Sequence, residues 1–154
     1  MSTHGFILSP SSWLGEGKIQ LSMVDEQLTF FTRWKVTERD PLGVIECMQE
    51  IQVKGVPETM MNQFTFSDLS GDHFVVTLEN QALGKVVGNG VINDKVIGWE
   101  FRIPEVGFEG FEFYEKQPDN SYLMRAEYAT DDQFRTLIQG KVWQQSLPPV
   151  KESQ

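Results

Sequence analysis

The sequence predicts an all-β protein: a closed antiparallel up-and-down barrel of about ten strands, with at most short helices. Three observations lead there. Apolar and polar residues alternate with period two over several segments, which sends successive side chains to opposite faces of a strand. Turn-forming clusters separate those segments at close to the ~8–12-residue spacing of sandwiches and barrels. Almost every link is short, so sequence neighbours are expected to pair antiparallel, and a long meander loses its exposed edges by closing on itself.

Taken in order, Met1–Ser12 reads as an N-terminal segment, residues 13–145 as a single barrel domain, and 146–154, with Pro148-Pro149, as a flexible tail. Gly17–Met23 carries Ile19 and Leu21 into a first strand. Leu28, Phe30, Thr32, Trp34 and Val36 share one parity of the second, opposed by Arg33 and Lys35. Val44–Val53 carries Ile45, Cys47, Ile51 and Val53. A short helix from Glu58 to Gln63 is a competing reading after Pro57. Phe64 and Phe66, then Phe74, Val76 and Leu78, define two strands joined through residues 67–72. Leu83–Ile92 is interrupted by Gly84, Gly88 and Gly90, which predicts bulges or sharp bends. Ile97, Trp99, Phe101 and Ile103 alternate with Gly98, Glu100 and Arg102 beyond the Asn93-Asp94-Lys95 turn. Phe108–Tyr114 follows Pro104-Glu105-Val106-Gly107, and Tyr122, Met124, Ala126 and Tyr128 follow Pro118-Asp119-Asn120-Ser121. In the last segment Thr130–Gln133 resembles a helix capping box, but Thr136, Ile138 and Val142 are β-branched and Gly140 interrupts the middle. A strand ending at Trp143 is the favoured reading.

Composition narrows the function. At 154 residues the chain is one domain, able to bury roughly 69% of its unfolded surface. A net charge of −9 opposes attraction to nucleic acid and anionic lipid, so neither nucleic acid nor a membrane is an expected partner. The lone Cys47 forms no intrachain disulfide. With no signal-type apolar stretch in Met1–Ser12 and no apolar run of the ~20 residues a helical span needs, a cytoplasmic location is expected.

Motifs for catalysis are sparse. His4 falls in a segment expected to be mobile, and His73 stands at a strand start beside Asp72; neither has a histidine or cysteine at metal-ligand spacing. Cys47 sits on an apolar parity and reads as a core residue rather than a nucleophile. Asp131-Asp132, and Glu109 with Glu112, read as solvated charge. Gly84–Gly90 lacks the lysine–serine ending of a phosphate loop. No catalytic residue, metal or cofactor is therefore expected. Arg33, Arg102 and Arg125 alternate with apolar neighbours and read as exposed.

Trp13-Leu14-Gly15-Glu16-Gly17 at the start, the meander that follows, and Gly140-Lys141-Val142-Trp143 at the close together resemble a calycin, the group of lipocalin, fatty-acid-binding and nitrobindin-like barrels. Gly15-Glu16-Gly17 is closest to the glycine-rich start of nitrobindin-like barrels. The resemblance implies a calycin-like barrel able to enclose an apolar cavity. It does not extend to the two-helix lid of fatty-acid-binding proteins, since only about five residues around Val24–Gln27 separate the first two strands. Nor does it extend to the late-strand histidine that holds haem in nitrobindin-like barrels, because no histidine follows His73.

The aromatic load is the feature with functional reach: eleven Phe, four Trp and three Tyr supply far more ring volume than turns need. The residues expected to line a cavity are Phe30, Trp34, Trp99, Phe101, Phe113, Met124 and Tyr128, each on an apolar parity, with Tyr128 adding a hydroxyl anchor. The expected function is non-enzymatic binding of a small apolar or amphipathic molecule. The alternative is a protein-interaction module, a solid barrel whose acidic surface recruits a basic partner. Oligomeric state is left open.

Overall fold

A computed structural model describes residues 4–22, 25–130 and 135–145, with the side chain of Val106 excepted. Ten strands run in chain order: β1 (Ser11–Leu21), β2 (Gln27–Val36), β3 (Ile45–Val53), β4 (Thr59–Ser70), β5 (His73–Asn80), β6 (Gly84–Ile92), β7 (Val96–Ile103), β8 (Phe108–Lys116), β9 (Tyr122–Ala129) and β10 (Arg135–Gln144). Each pairs antiparallel with its sequence neighbours, and β1 closes the ring on β10 through a register that includes Gly15↔Val142 and Gly17↔Gly140. The predicted closed up-and-down barrel is what forms, and its architecture is compatible with a calycin-like fold.

Parity decides the interior. On β2, Phe30, Thr32, Trp34 and Val36 are buried while Phe31, Arg33 and Lys35 are exposed. Ile97, Trp99 and Phe101 point inward on β7, and Tyr122, Met124 and Ala126 on β9. Arg33, Arg102 and Arg125 take the outer face. Cys47 is a buried core residue whose thiol is pushed up by burial, far from thiolate reactivity.

Several local readings left open by the sequence are decided by the strand pairing, the closing strand as favoured and others against expectation. Residues 59–63 are strand, not helix, because β4 takes its ladder from β3 as far as Thr59↔Gln52. The last segment is strand from Arg135, its β-branched residues winning over the helical spacing; residues 131–133 of the capping-box reading lie outside the described residues. In β6 the register with β5 is unbroken, so Gly88 and Gly90 mark no bulge. They leave room for rings instead: a Cβ on Gly90 would overlap the Phe74 ring, and one on Gly88 would press on Phe101 and the Glu100 carbonyl. The irregularity falls in β4, where the register shifts between Ser67 and Ser70 and Asp68 takes φ 51°. The described helical content is a single 3-10 turn, Pro104–Val106, closed by Gly107 in the left-handed region.

The N-terminal segment is part of the core. Phe6 and Ile7 are completely buried. The Phe6 ring sits 4.6 Å from Tyr114, 5.2 Å from both Trp13 and Trp34, and 5.4 Å from Tyr122, centroid to centroid. Ile7 holds φ 56°, a conformation that costs a β-branched residue about 1–2 kcal/mol and persists because burial outweighs it. His4 is buried as well, contrary to the mobile segment expected: its Nε2–H donates to the Asn93 carbonyl at 2.6 Å, and Nδ1 is hydrogen-bonded to the Tyr122 hydroxyl at 2.8 Å. The physical reason is that one barrel mouth, ringed by Trp13 and Tyr122, would otherwise expose these rings to water.

The barrel thus has two unlike ends. At one, residues 4–8 plug the mouth, Phe6 lying against Trp13, Trp34, Tyr114 and Tyr122 and His4 bonded to the β6–β7 turn at Asn93. Beneath the plug, Trp34, Phe64, Phe66, Phe74, Trp99 and Tyr114 form a continuous ring-packed layer, with Trp34 stacked on Phe64 at 5.2 Å. Packing takes precedence there even over two indole N–H groups, since Nε1 of Trp34 and of Trp99 has no hydrogen-bond partner among the described residues. The other end, bounded by the β3–β4, β5–β6 and β7–β8 links, is not filled by the described residues.

Candidate functional site

Above the ring-packed layer lies a cavity of about 360 Å³, toward the small end of the ~300–1,000 Å³ range of small-molecule sites. Its wall is mostly apolar. β1 and β2 supply Ile19, Leu21, Leu28 and Phe30; Ile51, Met60 and Leu78 continue round the barrel, and Phe108, Met124 and Ile138 complete it, with Phe64 belonging to both the cavity wall and the layer below. All stand on the inward parity of their strands, which is the physical reason a two-residue period in the sequence becomes a continuous lining.

Two polar features interrupt that lining. The first is a ladder across four adjacent strands. The Asn80 side-chain amide donates to Asn62 Oδ1 (2.9 Å), Asn62 to Gln49 Oε1 (3.0 Å) and Gln49 to Thr32 Oγ1 (3.1 Å), and the Thr32 hydroxyl donates to the Glu50 carbonyl (2.9 Å). Each amide is satisfied by the next, so four polar side chains are buried or half-buried at low cost. Asn80 Oδ1 also accepts the Leu83 backbone N–H at 2.7 Å, fixing the β5–β6 turn at the rim.

The second is Glu112, buried on β8. The Tyr114 hydroxyl donates to its Oε1 at 2.6 Å, and the Tyr128 hydroxyl donates to its Oε2. Burial pushes the Glu112 carboxyl above its ordinary range, and the two tyrosine hydrogen bonds pull it part of the way back. Burial, and then the charge of Glu112, hold both tyrosines well above their ordinary value, so their hydroxyls remain protonated donors. The Arg135–Glu127 and Lys141–Asp119 ion pairs and the His73–Asp72 contact all lie elsewhere.

The residues expected at the site divide three ways. Phe30, Met124 and Tyr128 line the cavity. Trp34, Trp99 and Phe101 point inward, but they belong to the packed interior beneath and beside it. Phe113 is corrected: it is exposed on the outer face, beside Val96 and Leu123. Its neighbour Glu112, expected to be solvated, takes the inward place. The cause is the β7–β8 register, in which the four-residue turn sets Ile103 against Phe108 and therefore Trp99 against Glu112 and Gly98 against Phe113.

Gln49, Asn62 and Asn80 were not anticipated either. Their signal is a polar residue on an otherwise apolar parity: Gln49 between Cys47 and Ile51, Asn62 between Met60 and Phe64, Asn80 after Leu78. No group of three or more His, Cys, Asp or Glu side chains is placed to hold a metal ion among the described residues. Chemically, the site can enclose an apolar body and meet it with one carboxyl, the Tyr128 hydroxyl and a strip of amides. A scan against protein-family models finds none that matches this chain, and a search of curated proteins finds no match in sequence.

Proposed function

We propose that this protein is a non-enzymatic, calycin-like barrel that binds a small apolar or amphipathic molecule in the cavity at the end opposite the N-terminal plug. The observation that carries the reading is the roughly 360 Å³ cavity, apolar over most of its wall and polar at a few fixed points, the usual composition of a small-molecule site. Filling one end with interlocked rings while leaving the other hollow favours this over the solid-barrel interaction module. A cytoplasmic location fits the reading. The outer face carries charge along its length, including Glu16, Lys18, Arg33, Glu50, Lys85, Glu100, Arg125 and Lys141, and the interior is apolar, the inverse of a barrel that lives in lipid.

Native mass spectrometry of freshly purified protein tests the proposal, together with titration by an apolar probe read through tryptophan fluorescence. A co-purifying small molecule, or saturable quenching at one site per chain, is the expected result. Ligand-free protein whose fluorescence no apolar probe alters would overturn it.

A further inference from the structure

The cavity holds one group that an apolar ligand alone does not explain. Glu112 is an inward-facing carboxyl in a mostly hydrocarbon wall, with each oxygen taking a single tyrosine hydroxyl. An ionised carboxylate offers about four acceptor positions and no donor, so two positions remain open. A protonated carboxyl would instead add an O–H to a cluster already holding two. Neither tyrosine hydroxyl has a second acceptor among the described residues, so one of the three hydrogens would be stranded. The unfilled capacity of the cluster is therefore acceptor capacity. A cationic N–H donor is its complement, and hydrogen bonds from ionised groups are the strong ones.

Resting on the binding function proposed above, we infer that the ligand is a lipophilic amine, its ammonium group donating to Glu112 and its apolar body lying against Phe30, Leu78, Phe108, Met124 and Ile138. Tyr114 and Tyr128 each hold one oxygen of this carboxyl, which itself borders the cavity. The cavity volume confines the body to a short alkyl chain or one or two rings. The titratable groups packed about Glu112 are Tyr114 on its own strand and Tyr128 on β9, with Cys47 of β3 against Tyr114; from β7 come Trp99 and Phe101, which do not titrate. All three neighbours stay neutral and protonated at physiological pH. Amine affinity is accordingly governed by Glu112 and falls on acidification, as protonation of the carboxyl removes the counter-charge.

Isothermal titration of the full chain with n-octylamine, 1-octanol and octanoate near neutral pH tests this. Octylamine is expected to bind roughly 10-fold or more tighter than octanol, the value of one charge-assisted hydrogen bond, and octanoate weakest, repelled by the buried carboxylate. Glu112→Gln, nearly isosteric, is expected to erase the preference for octylamine over octanol. Octanol matching octylamine, or octanoate binding best, overturns the amine assignment and leaves the binding barrel standing. Failure of all three probes overturns both. The comparison among probes on the unmodified protein stands even if the variant does not fold.

Discussion

Replacing Phe6 by alanine puts a number on the finding that the chain plugs its own barrel. The ring is fully buried and touches four other aromatic side chains at centroid distances of 4.6–5.4 Å. Truncating a buried phenylalanine removes its transfer free energy and leaves a cavity in a rigid aromatic layer, at a cost of about 3–5 kcal/mol. The surrounding indole and phenol rings are large and mutually locked, so little collapse into the space is expected and the upper half of that range applies. At about 2–4 °C per kcal/mol for a domain of this size, the melting temperature falls by roughly 8–20 °C. Urea unfolding followed by tryptophan fluorescence measures the free energy, and circular dichroism the melting point. Leu42→Ala, at an 88% exposed loop position, is the control and stays within about 0.5 kcal/mol of the parent. A Phe6→Ala protein as stable as that control would show that residues 4–8 only lie over the barrel.

Three further outcomes follow from the same structure. Gly90→Ala drives a Cβ into the Phe74 ring and is expected to cost about 1–3 kcal/mol by thermal melting; an unchanged melt would mean the ring has somewhere else to go. Glu112 binds its proton more tightly in the folded chain than in the unfolded one, because its carboxyl is raised from the ordinary 4.5. Stability from this group therefore falls as pH climbs from that value through the raised one. Glu112→Gln is expected to gain on the parent in urea unfolding as pH rises above the ordinary 4.5, whereas a constant difference would place the carboxyl in water. Phe113→Ser, on the outer face, is expected to shift stability by no more than about 0.5 kcal/mol, while Met124→Ala inside costs about 2–5 kcal/mol; the reverse order in denaturant titrations would invert the parity assigned to β8.

How much of this was legible varied with the physics of each element. The strands of Phe30–Val36, Ile97–Ile103 and Tyr122–Tyr128 announced themselves, because one buried face and one wet face leave a strict two-residue period. Closure followed from short links and the need to hide edges. The parity of β8 was harder, since Phe108-Glu109-Gly110-Phe111-Glu112-Phe113-Tyr114 offers aromatic residues on both faces. The turn held the answer: with Pro104–Gly107 as a four-residue link, antiparallel pairing sets Trp99 against Glu112 and turns Phe113 outward. Hydrophobicity at single positions pointed the other way, and register overruled it. The polar ladder was invisible residue by residue because Gln49, Asn62 and Asn80 are far apart in sequence and meet only once four strands are aligned. The plug was missed because Gly5–Leu8 has no periodicity; its burial depends on an open ring of aromatics that exists only after the barrel closes.

The methionines provide the most direct test of a hollow, ligand-binding interior. Met124 lies inside the cavity and Met60, 48% exposed, at its rim, whereas Met48 and Met61 stand exposed on the outer face of the same barrel. With methyl-labelled methionine, titration of n-octylamine or another small amphiphile is expected to move the Met60 and Met124 methyl resonances together, saturably, at one equivalent. Met48 and Met61 should stay in place. Movement confined to Met48 and Met61, or no saturable shift at Met124 with any apolar probe, would contradict a binding cavity inside this barrel.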